Sequence, residues 1–258
     1  MVCDTRTELP IAFSVTTGNS DERKAMVDML NVFSDAQRER AYAIMMDRGY
    51  DSVDMIRRVK GAGIIPVVDI GNGWKDGEET RQYKETDIVY DYAGQVYYVD
   101  SAGKKDKMRY KGYGSTRNCL RYEHSGKTYK IYVSYEERIF LLIARDSLKF
   151  KRLYKARTSV ERLNGRLDRD FMFEDHCLRG RTKTKLMVSV SFIVMNAMAL
   201  GKIKELTPGT GDPYEDRTAE CGLAGSESYK KRYKKGDYPQ FSNAGVDCFC
   251  LNRVLACD

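Results

Sequence analysis

The sequence predicts an α/β protein with a β-rich insertion, and three observations support this fold class. Two apolar strands flank a short helix between residues 41 and 70, a β-α-β pattern that is typical of parallel sheets. Short segments that alternate tyrosine or valine with polar residues follow, separated by glycine and serine turns. Amphipathic helices come last, so a sheet covered by helices is expected.

The composition is that of a soluble globular protein. The 258 residues suffice for one full domain with an insertion, or for two small domains. Hydrophobic residues make up 42% and charged residues 31%, which argues against a disordered chain. The seven cysteines are scattered and no apolar leader opens the chain, so a cytoplasmic location is expected.

The net charge of +7 is unevenly distributed. Residues 101–160 contain 16 Lys or Arg against 5 Asp or Glu, whereas the remainder contains 28 against 32. A basic segment inside a slightly acidic protein indicates a polyanionic partner, and nucleic acid is the usual one. A solvated basic surface explains the charge equally well.

The first seventy residues contain the elements of a partial sheet. Two short strands, the second at 11–16, precede a helix that Asn19 or Ser20 caps. A strand at 41–46 then leads through a helix to a strand at 64–70.

Asp47 directly follows the strand at 41–46. The carboxyl ends of strands are where open α/β sheets bind ligands, so Asp47 is a candidate site residue. An aspartate at a strand end near a glycine is also common turn punctuation, and a purely structural role stays open at this point.

A helix over residues 154–170 carries the second candidate site. Helical spacing places Tyr154, Arg157 and Glu161 on one face. The face expected to be buried consists of Val160, Leu163, Leu167 and Phe171. An ordinary ion pair between Arg157 and Glu161, worth roughly 0.2–0.5 kcal/mol, explains the spacing as well as a catalytic carboxylate beside phosphate-binding arginines does.

Two blocks of residues resemble DDE-type transposases of bacterial insertion sequences. Tyr154, Arg157 and Glu161 resemble the family's Tyr-x2-Arg-x3-Glu-x6-Lys signature, although Asp168 stands where that signature has lysine. The segment Asp-Arg-Gly-Tyr-Asp-Ser, which begins at Asp47, is similar to the block that holds the family's second catalytic aspartate.

The resemblance implies a fold, a cofactor and a partner. The fold would be an RNase H-like core, N-terminally incomplete, because the family's first catalytic aspartate lies upstream of the stretch that opens this chain. Asp47 and Glu161 would be catalytic and would bind Mg²⁺, with Mn²⁺ as a substitute. The resemblance further implies contacts to DNA phosphates from Tyr154, Arg157, Arg166 and Arg179. DNA at element ends and targets would be the partner, bound by a homodimer.

Four segments are expected. Residues 1–70 would form a partial core, and residues 71–150 would form the basic β-rich insertion, as in one subgroup of the family. Residues 151–206 would hold the catalytic helix and a final buried helix from Leu186 to Ile203, whose apolar run is too short to span a bilayer, so no membrane partner is expected. Residues 207–258 would form a tail of unknown structure.

The expected activity is DNA cleavage and strand transfer, defective because the first aspartate is absent. A different class of function stays open, namely a non-catalytic DNA-binding remnant or truncated repressor. A third alternative is a chain that folds poorly, because an incomplete sheet exposes a strand edge.

Overall fold

A computed structural model describes residues 1–17, 19–175, 179–206, 247–251 and 254–255. The strands are β1 (Val2–Asp4), β2 (Pro10–Ala12), β3 (Val15–Thr16), β4 (Ala41–Met46), β5 (Ile65–Val68), β6 (Arg81–Gln82), β7 (Ile88–Tyr90), β8 (Val96–Val99), β9 (Lys105–Lys107), β10 (Arg109–Gly114), β11 (Cys119–His124), β12 (Lys127–Tyr132), β13 (Asp247–Leu251) and β14 (Val254–Leu255). The helices are α1 (Glu22–Asn31), α2 (Asp35–Arg40), α3 (Val53–Gly61), α4 (Leu148–Lys155), α5 (Thr158–Phe171) and α6 (Arg181–Leu206).

The main sheet has five strands in the order β2-β1-β13-β4-β5. Its central strand, β13, comes from the far end of the chain. It pairs antiparallel with β1, where Cys3 faces Cys250, and parallel with β4, where Cys250 faces Met45. Two strands of the segment expected as a tail therefore lie in sheets, since β14 also pairs with β3.

Both faces of the main sheet are covered. Successive side chains of a strand point to opposite faces, and residues 43–46 of β4 and all of β5 are buried. Helix α3 packs against β5, and helix α5 packs against β1 and β13. The connection β4-α3-β5 confirms the β-α-β unit that the sequence predicts.

The insertion consists of two antiparallel sheets, β6-β7-β8-β9 and β10-β11-β12. Strands β7, β8, β10, β11 and β12 lie where the alternating pattern predicts them. Strand β6 falls in a largely polar stretch and β9 is the polar segment Lys-Asp-Lys, so neither follows that pattern. The sheets share a separate core, which includes Val96, Leu120, Tyr122, Ile131 and Phe140.

The first helix begins slightly later than the sequence predicts. Asp21, rather than Asn19 or Ser20, is the N-cap, and its carboxylate accepts a hydrogen bond from the backbone N–H of Arg23. A carboxylate at a helix N-terminus also interacts favourably with the helix dipole, which explains the shift.

The prediction of a buried final helix is wrong for most of α6. One stripe, with Val188, Phe192 and Met195, is buried against the main core. Large apolar side chains elsewhere on the helix are exposed, namely Leu186, Val190, Ile193, Val194, Met198 and Leu200. Because α6 lies at the β2 and β3 side of the sheet, only one stripe meets the core. The segment Arg181–Ile203 is also long and apolar enough, by length and composition, to cross a membrane, which corrects the shorter span expected above.

Polar contacts join the insertion to the main core. The guanidinium of Arg138 donates two hydrogen bonds to Oδ2 of Asp51, at 2.7 and 3.1 Å, and a third to the carbonyl of Gly71. Nearby, Arg57 of α3 pairs with Glu137 at 3.0 Å. The carboxylate of Asp51 is 3% exposed, so this junction places a charge in a nearly dry environment.

Candidate active site

Asp47 lies at the carboxyl end of β4, as the sequence predicts. Its Oδ1 accepts a hydrogen bond of 2.7 Å from the backbone N–H of Arg48, which opens a short helical turn. The carboxylate is 57% exposed, so it remains accessible from solvent.

The helix that carries Glu161 is not continuous with the one that carries Tyr154. The sequence predicts one helix over 154–170, whereas the structure ends α4 at Lys155 and begins α5 at Thr158. The hydroxyl of Thr158 donates to the carbonyl of Lys155, and the hydroxyl of Ser159 donates to the carbonyl of Thr5. These side-chain hydrogen bonds compete with the helical pattern and favour a turn at this point.

The break leaves the three signature residues together. Nη1 of Arg157 lies 3.1 Å from Oε1 of Glu161 and 3.8 Å from Oδ2 of Asp47. Arg157 is therefore positioned between two carboxylates that are 114 residues apart in the chain. It is 27% exposed, and Glu161 is 48% exposed, so the group lies at an open edge of the sheet.

Tyr154 completes the group from α4. Its ring lies 6.0 Å from the guanidinium carbon of Arg157, within the range of a cation-π contact. Burial, assisted by the carboxylates of Asp69 and Asp47, raises the pKa of the Tyr154 phenol. The hydroxyl therefore stays protonated at neutral pH and can donate a hydrogen bond to an anion.

The two further arginines predicted to bind DNA lie elsewhere. Nη1 of Arg166 donates to the backbone carbonyl of Glu8, in the turn between β1 and β2. Arg179 is exposed in the segment before α6, and no ion pair joins it to Asp47 or Glu161. The structure thus brings together four of the six predicted site residues.

A third carboxylate does not join Asp47 and Glu161 within the described ranges, where no cluster of three potential metal ligands occurs. Oδ2 of Asp4 accepts hydrogen bonds from the backbone and hydroxyl of Thr7, and Asp21 caps α1. The early acidic residues therefore have local structural roles.

Sequence reasoning missed Asp69 and the role of Arg48. Asp69 follows β5 as Asp47 follows the parallel neighbour β4, and this repeated position was the available signal. The carboxylate of Asp69 accepts hydrogen bonds from Nη2 and Nε of Arg48, at 2.5 and 3.2 Å. This pair links the ends of the neighbouring strands β4 and β5.

The donor set fits one divalent cation. The exposed carboxylates of Asp47 and Glu161 both lie near the Arg157 guanidinium, which balances part of their negative charge. Mg²⁺ prefers such hard oxygen ligands, and one or two carboxylates with substrate phosphate oxygens and water often make up its shell. Asp47 and Glu161 are the residues that would hold the ion.

Comparison with known proteins gives one match. A family model with the description "Transposase DDE domain" matches residues 1–197. No curated protein and no solved structure matches the chain.

Proposed function

The chain belongs to the family of transposases with a DDE domain, and from this premise we propose that Asp47 and Glu161 form its catalytic centre. Membership of the family implies a DNA substrate and chemistry that depends on a divalent metal ion. The observation that carries the assignment is the convergence of Asp47, Arg157 and Glu161 at the carboxyl end of β4.

Each residue of the group has a role that its geometry supports. Asp47 and Glu161 would bind Mg²⁺, for which Mn²⁺ would substitute, and the bound ion would supply Lewis-acid activation of a phosphodiester. Arg157 lies next to both carboxylates. When the metal ion binds them, Arg157 would turn towards the scissile phosphate, which a guanidinium can bind through two hydrogen bonds. Tyr154 would donate its hydroxyl to a neighbouring phosphate oxygen.

The finer description of the family is also part of the proposal. A mixed five-stranded sheet with an acid at the end of an inner strand supports an RNase H-like core. Seven strands, β6 to β12, lie between β5 and the helix that carries Glu161, and they support the subgroup that has a β-rich insertion before the last catalytic residue. We also propose that the chain acts in the cytoplasm as a homodimer on DNA.

A defective enzyme is the expected state of this chain. In the described ranges two carboxylates converge rather than three, which is one short of a full two-metal set. The same observation favours a second candidate function, a non-catalytic protein that binds DNA through its basic insertion. The two candidates differ in whether DNA is cut after it has bound.

Nicking of supercoiled plasmid by the purified chain, with Mg²⁺ or Mn²⁺, tests the assignment. The variants Asp47→Asn and Glu161→Gln keep the side-chain shape and remove the charge that binds the metal. If the chain nicks DNA, each variant should lose at least about 100-fold in rate, because each removes a ligand worth several kcal/mol. Asp170→Asn, which removes an exposed carboxylate from the same helix as Glu161, is the matched control and should keep the rate.

The outcomes separate the two candidate functions. Nicking that both variants abolish would establish the catalytic centre and overturn the expectation of a defective enzyme. Salt-sensitive DNA binding without nicking would establish the non-catalytic candidate. Nicking that both variants retain would show that Asp47 and Glu161 are not the catalytic carboxylates.

A further inference from the structure

Helix α6 carries an exposed apolar stripe that the proposed catalytic centre does not use. Its large aliphatic side chains are between 38% and 67% exposed, namely Leu186, Val190, Ile193, Val194, Met198 and Leu200. The stripe that packs on the main core, with Val188, Phe192 and Met195, lies on the opposite side of the helix. The helix therefore has two apolar sides, and in the described part of the chain only one of them is covered.

The exposed stripe follows a heptad spacing. Residues recur along it at alternating intervals of four and three, and all of them are exposed, namely Leu186, Val190, Ile193, Ala197 and Leu200. We call these five residues the α6 seam. Apolar residues at this spacing form the contact line between two helices that pack side by side. The spacing therefore indicates that the partner is another helix.

The exposed stripe is large enough to form most of a stable interface. Its side chains expose on the order of 600 Å² of apolar surface, the upper end of the range for the largest patch on a monomeric protein. A standard interface buries about 800 Å² on each partner. The buried stripe already holds α6 in place, so association does not require a helix to fold.

The chemistry of the α6 seam fits a second copy of itself. The seam contains no charged or polar side chain. The hydroxyl of Ser189, next to the seam, already donates to the carbonyl of Lys185 within the helix. Such a surface is self-complementary, as a two-fold interface requires, whereas a partner with charges at matching positions would leave them buried and unpaired.

A bilayer is the other environment that accepts an apolar helix of this length. Insertion would pull Val188 and Phe192 out of the main core, where the ring of Phe192 makes an edge-to-face contact with Phe13 at 5.1 Å. It would also place the amide of Asn196 in hydrocarbon. The folded protein therefore favours a protein partner over a lipid one.

We propose that two copies of the chain associate through the α6 seam, about a two-fold axis, before either copy binds DNA. The inference rests on the proposed function, of which a homodimer on DNA is part, and adds the surface at which the copies meet. Helix α6 contacts β2 and β3, whereas Asp47 follows β4 on the other side of β1 and β13. The two candidate active sites therefore stay outside the interface.

Sedimentation equilibrium of the purified full chain, without DNA or divalent ions, tests the interface. The wild-type chain should be a dimer at micromolar concentration. Ile193→Glu places a charge at the centre of the seam on both copies, and should weaken the dimer at least about 100-fold because that charge would be buried without a partner. Leu148→Glu is the matched control and should leave the dimer unchanged, since Leu148 is exposed in the first turn of α4, where glutamate is favourable.

A second variant separates loss of the interface from loss of the fold. Leu186→Glu lies at one end of the seam and should weaken the dimer less than Ile193→Glu does, because the rim of an interface contributes less than its centre. Both variants should keep the wild-type circular dichroism spectrum, because Leu186 and Ile193 are exposed in each copy.

Three results would overturn the proposal. One is an Ile193→Glu variant that dimerises as tightly as Leu148→Glu. Another is a wild-type chain that stays monomeric at about 100 µM and is destabilised by Ile193→Glu, because the seam would then be covered within a single copy. The third is a monomeric chain that floats with phosphatidylcholine vesicles and loses this flotation in Ile193→Glu, which would assign the stripe to a membrane surface.

The dimer assay is independent of the catalytic assignment. It contains neither DNA nor metal, so it does not require Asp47 or Glu161 to function. Dimerisation through the seam without any plasmid nicking would support the interface and reject catalysis. Nicking by a wild-type chain that is monomeric in the absence of DNA would reject the interface alone.

Discussion

The main sheet and the insertion differ in how far apart in the chain their paired strands lie. Within each sheet of the insertion, every strand pairs with the next strand along the chain. In the main sheet, β13 enters between β1 and β4, and Cys250 pairs with both Cys3 and Met45. The insertion therefore forms from pairings between neighbouring segments of the chain, whereas the main sheet is completed by the segment that is most distant in sequence.

The difference explains what each region needs in order to fold. A local hairpin closes a short loop at low entropic cost, and its turn sets the strand register. Ser125 and Gly126 both have positive φ, 47° and 75°, which is the geometry of a tight two-residue hairpin turn between β11 and β12. In the described part of the chain no tight turn joins β13 to its partners β1 and β4, so the two halves of the main sheet depend on a long-range pairing.

The largest effect is expected from breaking the central strand. Cys250→Pro removes a backbone N–H from a strand that is paired on both sides, and prolines are excluded from such positions. It should lower the free energy of unfolding by about 4 kcal/mol, at the upper end for a single substitution. Hydrogen exchange measured by mass spectrometry should show loss of protection in β1 and β4 while β10–β12 stay protected.

Cys250→Val, which suits a strand, is the control for the central position and should retain protection. Unchanged protection of β1 and β4 in the proline variant would mean that the sheet does not depend on β13.

The reciprocal change should affect the insertion alone. Ile131→Ala leaves a cavity in the separate insertion core, where Ile131 is fully buried. We expect a loss of about 2–4 kcal/mol, with faster hydrogen exchange in β10–β12 and unchanged exchange in β4. Thr128→Ala, an exposed change on the same strand, should have little effect, and equal loss of protection in both regions would refute their independence.

A smaller effect is expected from uncoupling the two regions. Asp51→Asn removes the buried charge that Arg138 contacts at the junction. The cost should be about 2–3 kcal/mol, below that of a fully buried pair, because Arg138 is 26% exposed. Denaturant unfolding, followed separately in the main sheet and in the insertion, should show the midpoints of the two regions move further apart.

Asp54→Asn, at an exposed ion pair with Arg58, is the matched control and should cost less than about 0.5 kcal/mol. Midpoints that do not move apart in the Asp51 variant would show that the regions are coupled by other contacts.

The smallest effect concerns pH and is confined to the insertion side. Burial raises the pKa of Asp146, so the folded protein binds this proton more tightly than the unfolded chain. The contribution of Asp146 to stability is therefore complete below its unfolded pKa and is lost as pH rises through its folded pKa.

Asp146→Asn should flatten the dependence of stability on pH above the usual pKa of an aspartate, about 4, measured by thermal unfolding. Glu85→Gln, an exposed change, should leave the slope as it is. An unaltered slope in the Asp146 variant would show that Asp146 does not contribute to the pH dependence of stability.

Much of the fold follows from local patterns. Alternation and turn residues predict β7, β8, β10, β11 and β12, and an apolar-helix-apolar pattern predicts β4, α3 and β5. Two features of the site could be predicted equally well, because each depends only on neighbours in the chain. They are the position of Asp47 at a strand end and the helix face that Arg157 and Glu161 share. These predictions needed no knowledge of distant contacts.

Other features depend on contacts that no local pattern encodes. The place of β13 is set by pairing with strands at the opposite end of the chain. The exposure of α6 is set by its position beside β2 and β3, where one stripe of the helix meets the core. The break before α5 follows from a hydrogen bond between Ser159 and Thr5, which are distant in sequence.

The sequence by itself therefore predicted most of the elements, since side-chain periodicity and strand ends are local properties, and its resemblance to a known family pointed to Asp47 and Glu161. Only the tertiary structure decided that Arg157 lies between Asp47 and Glu161 and which stripe of α6 stays exposed. The physical reason is that both features arise where separate elements meet, and that meeting is fixed by long-range packing.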